Sequence, residues 1–174
     1  MIWLMCAGAW GASWERQPYI QALGTDQVTL MWMTDVPVGA EVQWGEGALT
    51  ESQALPSGVQ IAELRLSGLN ANTRYEYRVT VDGEADFESY FETAPVAGGT
   101  EQVRIWVLGD SGKGSSGQFD VRDAMLGFVT SRPPDLFLHV GDMAYNSGTE
   151  LEFSQKYFEP YASILSHTVM YGAI

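Results

Sequence analysis

Apolar and polar residues alternate with a period of two over the first half of the chain, and the period lengthens to that of a helix in parts of the second half. Val28, Leu30 and Trp32 alternate with Thr29, Met31 and Met33; Ala62, Leu64 and Leu66 flank Glu63 and Arg65; Tyr75, Tyr77, Val79 and Val81 alternate with Glu76, Arg78 and Thr80. Each run presents one apolar face, the pattern of a half-buried strand. Val42 and Trp44 lie between these runs, and Asp82-Gly83 is a hairpin-turn signal leading into a strand from Phe87 to Phe91. Turn residues recur often enough between Arg16 and Pro95 to predict about seven short strands, the expectation for a β-sandwich. At strand spacing Trp32, Trp44, Tyr75 and Tyr77 belong to its core rather than to a ligand platform. Leu69 to Tyr75, a leucine, a polar turn and a tyrosine entering a strand, has the form of a tyrosine corner.

The composition changes at Pro95-Val96-Ala97-Gly98-Gly99-Thr100, a small-residue linker and the expected domain boundary. Beyond it the run Val103–Leu108 ends in Gly109-Asp110-Ser111-Gly112, and Leu136–Val140 ends in Gly141-Asp142-Met143-Ala144-Tyr145. Between them Val121, Met125, Phe128 and Val129 form an apolar stripe at helical spacing, predicted to lie on a sheet. Two apolar runs ending in glycine, roughly 25 to 30 residues apart with a helix between, predict a βαβ unit with parallel strands. Ligands of such sheets bind outside the carboxyl ends of the strands, so Asp110 and Asp142 are expected to face one site. A second helix is announced by Thr149 with Glu152 three residues on, a capping box, and carries Tyr157, Phe158, Tyr161, Ile164 and Leu165 on one side, with Pro160 expected to kink it. Thr168 to Ile174 begins a further strand.

With 174 residues, 45% of them apolar, the chain has material for one or two packed domains. A net charge of -13 argues against a nucleic-acid partner, which requires a basic stripe to displace counterions. Cys6 is the single cysteine, so no internal disulfide is possible. Residues 1–12 are apolar and uncharged, with Ala7-Gly8-Ala9 as a small-X-small pattern, and predict a secretory signal and a secreted or periplasmic protein. The stretch is too short for a membrane span.

Three chemistries compete for the glycine-rich loop after Leu108. A phosphate-cradling P-loop needs Gly-X-X-X-X-Gly-Lys followed by Ser or Thr, whereas Lys113 is followed by Gly114. An aspartyl-phosphate mechanism would use Asp110 as nucleophile, but the position two residues on is Gly112 rather than a second acid. The third is metal binding: Asp110 and Asp142 could share a hard cation, with Tyr145 adding a phenolate oxygen. Each residue also has a plain structural reading, the aspartates as helix caps and Tyr145 as a packed aromatic. His139, within an apolar strand, and His167, near a helix end, are expected to be structural. The joint pattern of two Gly-Asp loops at βαβ spacing favours the metal.

At this point the chain resembles the purple acid phosphatases, within the calcineurin-like metallophosphoesterase superfamily. The resemblance covers nearly everything after Arg16. A fibronectin type III-like sandwich is matched by Pro18–Gln21, Trp32–Asp35, Leu66–Leu69, Thr73–Val79 and Phe91–Pro95; the family's Asp-X-Gly motif is matched by Asp110-Ser111-Gly112, and its Gly-Asp-X-X-Tyr by Gly141 to Tyr145. The resemblance implies a fibronectin type III-like β-sandwich over 16–95, a linker over 96–100, and the first part of an α/β metallophosphoesterase domain over 101–174. It implies that Asp110 and Tyr145 ligate a ferric ion and that Asp142 bridges it to a divalent ion, Fe, Zn or Mn. The activity implied is acid phosphatase, with hydrolysis of a small phosphomonoester by a metal-bound hydroxide.

The family's later motifs, Gly-Asn-His-Asp/Glu, Val-X-X-His and Gly-His-X-His, have no counterpart among these residues. The expectation is therefore an N-terminal fragment of a phosphatase, with three ligands of one metal site. A non-catalytic β-sandwich binding module with a vestigial α/β half stands as the alternative. Oligomeric state and natural substrate are not specified by any of these residues.

Overall fold

The computed structural model describes residues 11–82, 86–129 and 132–173. The predicted signal lies outside these residues except for Gly11 and Ala12, and Ala12 is already buried in the fold. Among the described residues no helix is long and apolar enough to cross a membrane.

The first half is one curled antiparallel sheet. Its strands are β1 (Trp14–Gln21), β2 (Gln27–Gly45), β3 (Glu51–Ser67), β4 (Arg74–Val81) and β5 (Phe87–Glu92). The expectation of about seven short strands is corrected to five among the described residues, two of them 19 and 17 residues long. β3 pairs with β2 from Gln27↔Ser67 to Trp44↔Glu51, with register shifts between Met33 and Ala40. The ladder bends there without ending, so turn-forming residues around Pro37 mark a bend rather than a strand boundary. The other edge of β2 is shared, by β1 at Thr29–Thr34 and by β4 at Ala40–Gly45.

Curling brings both halves of β2 around one core. Val28, Leu30, Trp32, Val42, Ala62, Leu64, Leu66, Tyr75, Tyr77, Val79 and Phe91 form a single buried cluster, with Trp44 half-buried against it. The predicted core aromatics are all there. The tyrosine corner is present too: the Asn70 backbone N–H donates to Tyr75 Oη at 2.9 Å, and that hydroxyl donates to Glu46 Oε1 at 3.0 Å. β4 and β5 pair antiparallel, Arg74↔Glu92 to Val79↔Phe87. Of their connecting turn, Gly83 lies outside the described residues.

The second half builds a three-stranded parallel sheet in the order β6 (Ile105–Leu108), β7 (Leu136–His139), β8 (Val169–Gly172). Trp106, Phe137 and Met170 stand in register on the face that meets the helices. There Phe137 is fully buried, stacked on Trp106 at 4.4 Å and edge-on to Tyr161 at 5.5 Å.

Helix α1 (Ser116–Phe128) departs from its predicted orientation. Val121 and Phe128 face outward, Phe128 being 88% exposed. The line Gln118, Arg122, Met125 turns inward instead: Gln118 is buried, Arg122 Nη1 donates to the Pro160 carbonyl at 2.8 Å, and Met125 packs on the aromatic cluster. Hydrogen bonds from Gln118 to the Lys156 carbonyl and from Arg122 to the Pro160 carbonyl fix this face inward, and of the predicted stripe Val121 and Phe128 are left exposed while Met125 packs on the cluster.

The last helical segment runs as α2 (Glu150–Phe153), a π-helical turn (Ser154–Phe158) and α3 (Glu159–Leu165). The predicted capping box is formed: the Thr149 side chain accepts from the Glu152 N–H while Glu152 accepts from the Thr149 N–H. Pro160 has no N–H for the carbonyl of Lys156 four residues back. The chain adapts through a π-turn, in which the Glu159 N–H donates to the Ser154 carbonyl. Tyr157, Tyr161, Ile164 and Leu165 are buried on one side, as their spacing predicts.

The halves share their packing across the linker. Val169 of β8 belongs to the core of the curled sheet, while Tyr19 and Met31 of that sheet pack into the aromatic cluster under the helices. Tyr77 Oη, nearly inaccessible, donates to the Ser166 carbonyl at 2.7 Å. Arg16 lies over the Phe158 ring at 4.1 Å and pairs with Glu150.

Candidate metal centre

β6 and β7 are adjacent and parallel, so the loops that follow them leave the sheet at the same end. Backbone hydrogen bonds continue past the strands and join the loops: Val140 N to Leu108 O at 2.8 Å, Asp110 N to Gly141 O at 3.1 Å, Gly112 N to Asp142 O at 3.0 Å, and Tyr145 N to Gly112 O at 2.8 Å. The approach is close because Gly112 carries no side chain; a Cβ there would lie 2.2 Å from the Met143 carbonyl carbon. Asp110 and Asp142 both have left-handed backbones, with φ of 53° and 58°. Aspartate tolerates this region better than most side chains, and here it places both residues at the mouths of neighbouring strands.

All three residues singled out in the sequence meet. Tyr145 Oη lies 2.5 Å from Asp110 Oδ1 and 2.6 Å from Asp142 Oδ2, so its single proton is shared between the two carboxylates. These two bonds hold the phenol proton and raise the Tyr145 pKa above its ordinary value, with smaller contributions from burial and from the two negative charges. The set is oxygen-only, two carboxylates and a phenol within hydrogen-bond distance of one point, the donor chemistry of a hard cation. Among the described residues there is no group of three or more His, Cys, Asp or Glu that could hold a metal ion. A cavity of about 230 Å³ opens beside Asp110, lined by Leu108, Ser111, Lys113, Gln118 and Tyr161.

His139 and His167 are not at this point. His139 is fully buried on β7, and its Nε2 pairs with Ser111 Oγ at 2.8 Å, pinning the Asp110 loop to the neighbouring strand. Burial lowers its pKa, with the Asp142 charge opposing. His167 stacks on Tyr90 at 4.9 Å beside the curled sheet.

Sequence reasoning missed the surroundings of Tyr145. Glu152 Oε1 accepts from the Asn146 N–H at 2.6 Å, and Oε2 accepts from Ser147 and Thr149 N–H at 3.1 Å each. Lys156 Nζ donates to the Tyr145 carbonyl and bonds Glu152 at 3.1 Å. The capping-box spacing announced one of these contacts; nothing in the spacing announced the others.

No family model matches the chain, and no curated protein matches it. Among solved structures, the fold is similar to a purple acid phosphatase isolated from yellow lupin (Lupinus luteus) seeds, with a TM-score of 0.70 and 16% identity over 90% of this chain. It is similar also to PhoD, with a TM-score of 0.65 and 12% identity, again over 90% of this chain. The likeness is one of fold. This chain spans 34% and 38% of those two chains, roughly a third of their length.

Proposed function

We propose that this chain is part of a metal-dependent phosphoesterase of the purple acid phosphatase type. The observation that carries the reading is the convergence of the Tyr145 phenol on the Asp110 and Asp142 carboxylates at the carboxyl ends of adjacent parallel strands. The similarity of fold over 90% of the chain to a purple acid phosphatase and to PhoD supports it. On this reading the antiparallel half is the fibronectin type III-like unit over 16–95 and the parallel half the first part of a metallophosphoesterase-type α/β unit over 101–174.

On this reading Asp110, Asp142 and Tyr145 would hold a ferric ion, with a divalent ion (Fe, Zn or Mn) beside it. A hard cation there supplies Lewis acidity toward a phosphoryl oxygen and a coordinated water of lowered pKa. The protein residues have three tasks. Tyr145 would contribute a phenolate oxygen, its proton passing to solvent; the left-handed Asp110 and Asp142 turn both carboxylates toward that oxygen; Gly112 allows the loops to approach. Lys113, on the rim of the cavity beside Asp110, supplies positive charge where an anionic phosphoester enters.

Ferric titration of the chain tests the reading. Wild type is expected to develop the visible absorption of a ferric phenolate, Tyr145→Phe to bind without that band, and Asp110→Asn to bind more weakly. Hydrolysis of an aryl phosphate is then measured on the longer protein carrying these residues. Absence of ferric binding by the wild type overturns the assignment.

A further inference from the structure

We infer that Glu152 and Lys156 are positioning residues that set the Tyr145 phenol between Asp110 and Asp142; the inference rests on those three oxygens being the cation site. Between Tyr145 and α2 the chain crosses four exposed residues, Asn146 to Thr149. The N–H groups of Asn146, Ser147 and Thr149 all donate to the Glu152 carboxylate. A capping box needs only the last of these. The other two draw the loop back toward the helix just after Tyr145. From one turn further along, Lys156 donates to the carbonyl of Tyr145 and pairs with Glu152. The residue that carries the phenol is therefore held through its own carbonyl and through the amide that follows it.

Pro160 explains why the helix presents Lys156 in this way. The Lys156 carbonyl, with no N–H offered from position 160, accepts from Gln118 Nε2 at 2.6 Å. Gln118, buried on α1, accepts through its Oε1 from the Gly114 N–H at 2.8 Å, in the loop that carries Asp110. One residue thus reaches both metal-site loops, by its side chain to Tyr145 and by its carbonyl through Gln118. π-turns recur where a helix is diverted to a functional task, and this one is placed at Lys156. Partners of this kind behind metal ligands typically contribute roughly 10–100-fold to metal affinity.

The test uses the full chain and three variants. Glu152→Gln removes the charge and one acceptor; Lys156→Met keeps the stem and removes the donor; Thr149→Ala weakens the helix cap while leaving the bonds to Asn146 and Ser147. Amide exchange at Asn146 and Ser147, the Tyr145 ring signals and ferric titration are followed together, with thermal unfolding as a check on folding. The inference requires Glu152→Gln and Lys156→Met to lose amide protection, shift the Tyr145 ring signals and weaken ferric binding roughly 10–100-fold. Thr149→Ala must do none of these. Equal effects of all three variants, or wild-type behaviour of the first two, overturn it. If the wild type binds no ferric ion, the cation reading fails separately, and the positioning role is then decided by the amides and the Tyr145 ring alone.

Discussion

Replacing Gly112 with alanine perturbs the closest approach in the site. The added Cβ would fall 2.2 Å from the carbonyl carbon of Met143, 2.3 Å from its oxygen and 2.4 Å from the Ala144 nitrogen. Carbon contacts relax at about 3.5–4.0 Å, so the loops must part by more than ~1 Å. These neighbours are backbone atoms and cannot rotate away. Parting breaks or stretches the hydrogen bonds from Gly112 N to Asp142 O and from Tyr145 N to Gly112 O. At ~0.5–1.5 kcal/mol each these contribute ~1–3 kcal/mol, to be set beside the ~1–3 kcal/mol of overpacking. The two descriptions overlap, and ~2–4 kcal/mol is the expected loss of stability.

Gly127→Ala serves as the control of opposite sign. Its Cβ meets nothing within 4 Å, and it lies inside α1, where alanine is favoured over glycine by up to ~1 kcal/mol. Both variants are compared with wild type by urea and thermal unfolding, followed by far-ultraviolet circular dichroism, and by ferric titration. Gly112→Ala is expected to be destabilised and to lose ferric affinity, Gly127→Ala to be stabilised and to keep it. A Gly112→Ala protein within ~0.5 kcal/mol of wild type and binding normally would refute the close clasp of the loops.

Other perturbations test the frame around the site. Tyr77→Phe removes the donor to the buried Ser166 carbonyl and is expected to cost ~1–3 kcal/mol, lowering the thermal midpoint by ~2–4 °C per kcal/mol in calorimetry; no change would mean that the bond does not join the halves. Phe137→Ala empties the centre of the aromatic cluster and is expected to cost ~3–5 kcal/mol by urea unfolding. Glu152 has its pKa lowered from 4.5 to about 2, first by the Thr149 N–H and then by Lys156. A depressed carboxylate contributes stability above its ordinary pKa and loses it as pH falls through the folded value. Amide protection at Asn146 and Ser147 is therefore expected to hold from neutrality to about pH 4.5 and to decline toward pH 2, and an increase on acidification would contradict the clamp.

What was legible in the sequence was whatever depends on period and punctuation. Alternation at Val28 to Trp32, Ala62 to Leu66 and Tyr75 to Val81 identified the buried face of the curled sheet, because a strand buried on one face must alternate. Two Gly-Asp endings at βαβ spacing brought Asp110 and Asp142 to one place, because adjacent parallel strands present the same end. Bending was not legible: recurring turn residues led to the expectation of about seven short strands, yet β2 and β3 pair through the bend between Met33 and Ala40. The orientation of α1 was missed for a different reason. Gln118 and Arg122 are ordinary polar positions in a period count, and their value arises only from the Lys156 and Pro160 carbonyls on another helix.

The stability of the site therefore comes largely from elsewhere in the chain. Left-handed aspartates cost of order 1–3 kcal/mol each, and the exposed side chains of Asp110 and Asp142 recover little by packing. What holds them is the ladder between the loops, the buried Ser111–His139 pair and the helix that carries Glu152 and Lys156. That helix is itself fixed from beneath by the curled sheet, through Tyr19 against Phe158 at 5.0 Å, Arg16 with Ser154, and Tyr77 with the Ser166 carbonyl. A substitution in β4, with no atom near the carboxylates, thus has a physical route to the phenol: it loosens the end of α3, and through that helix the Lys156 and Glu152 contacts that place Tyr145. The curled sheet is in this sense part of the site's foundation, which explains why two halves joined by a small-residue linker share their buried side chains instead of packing separately.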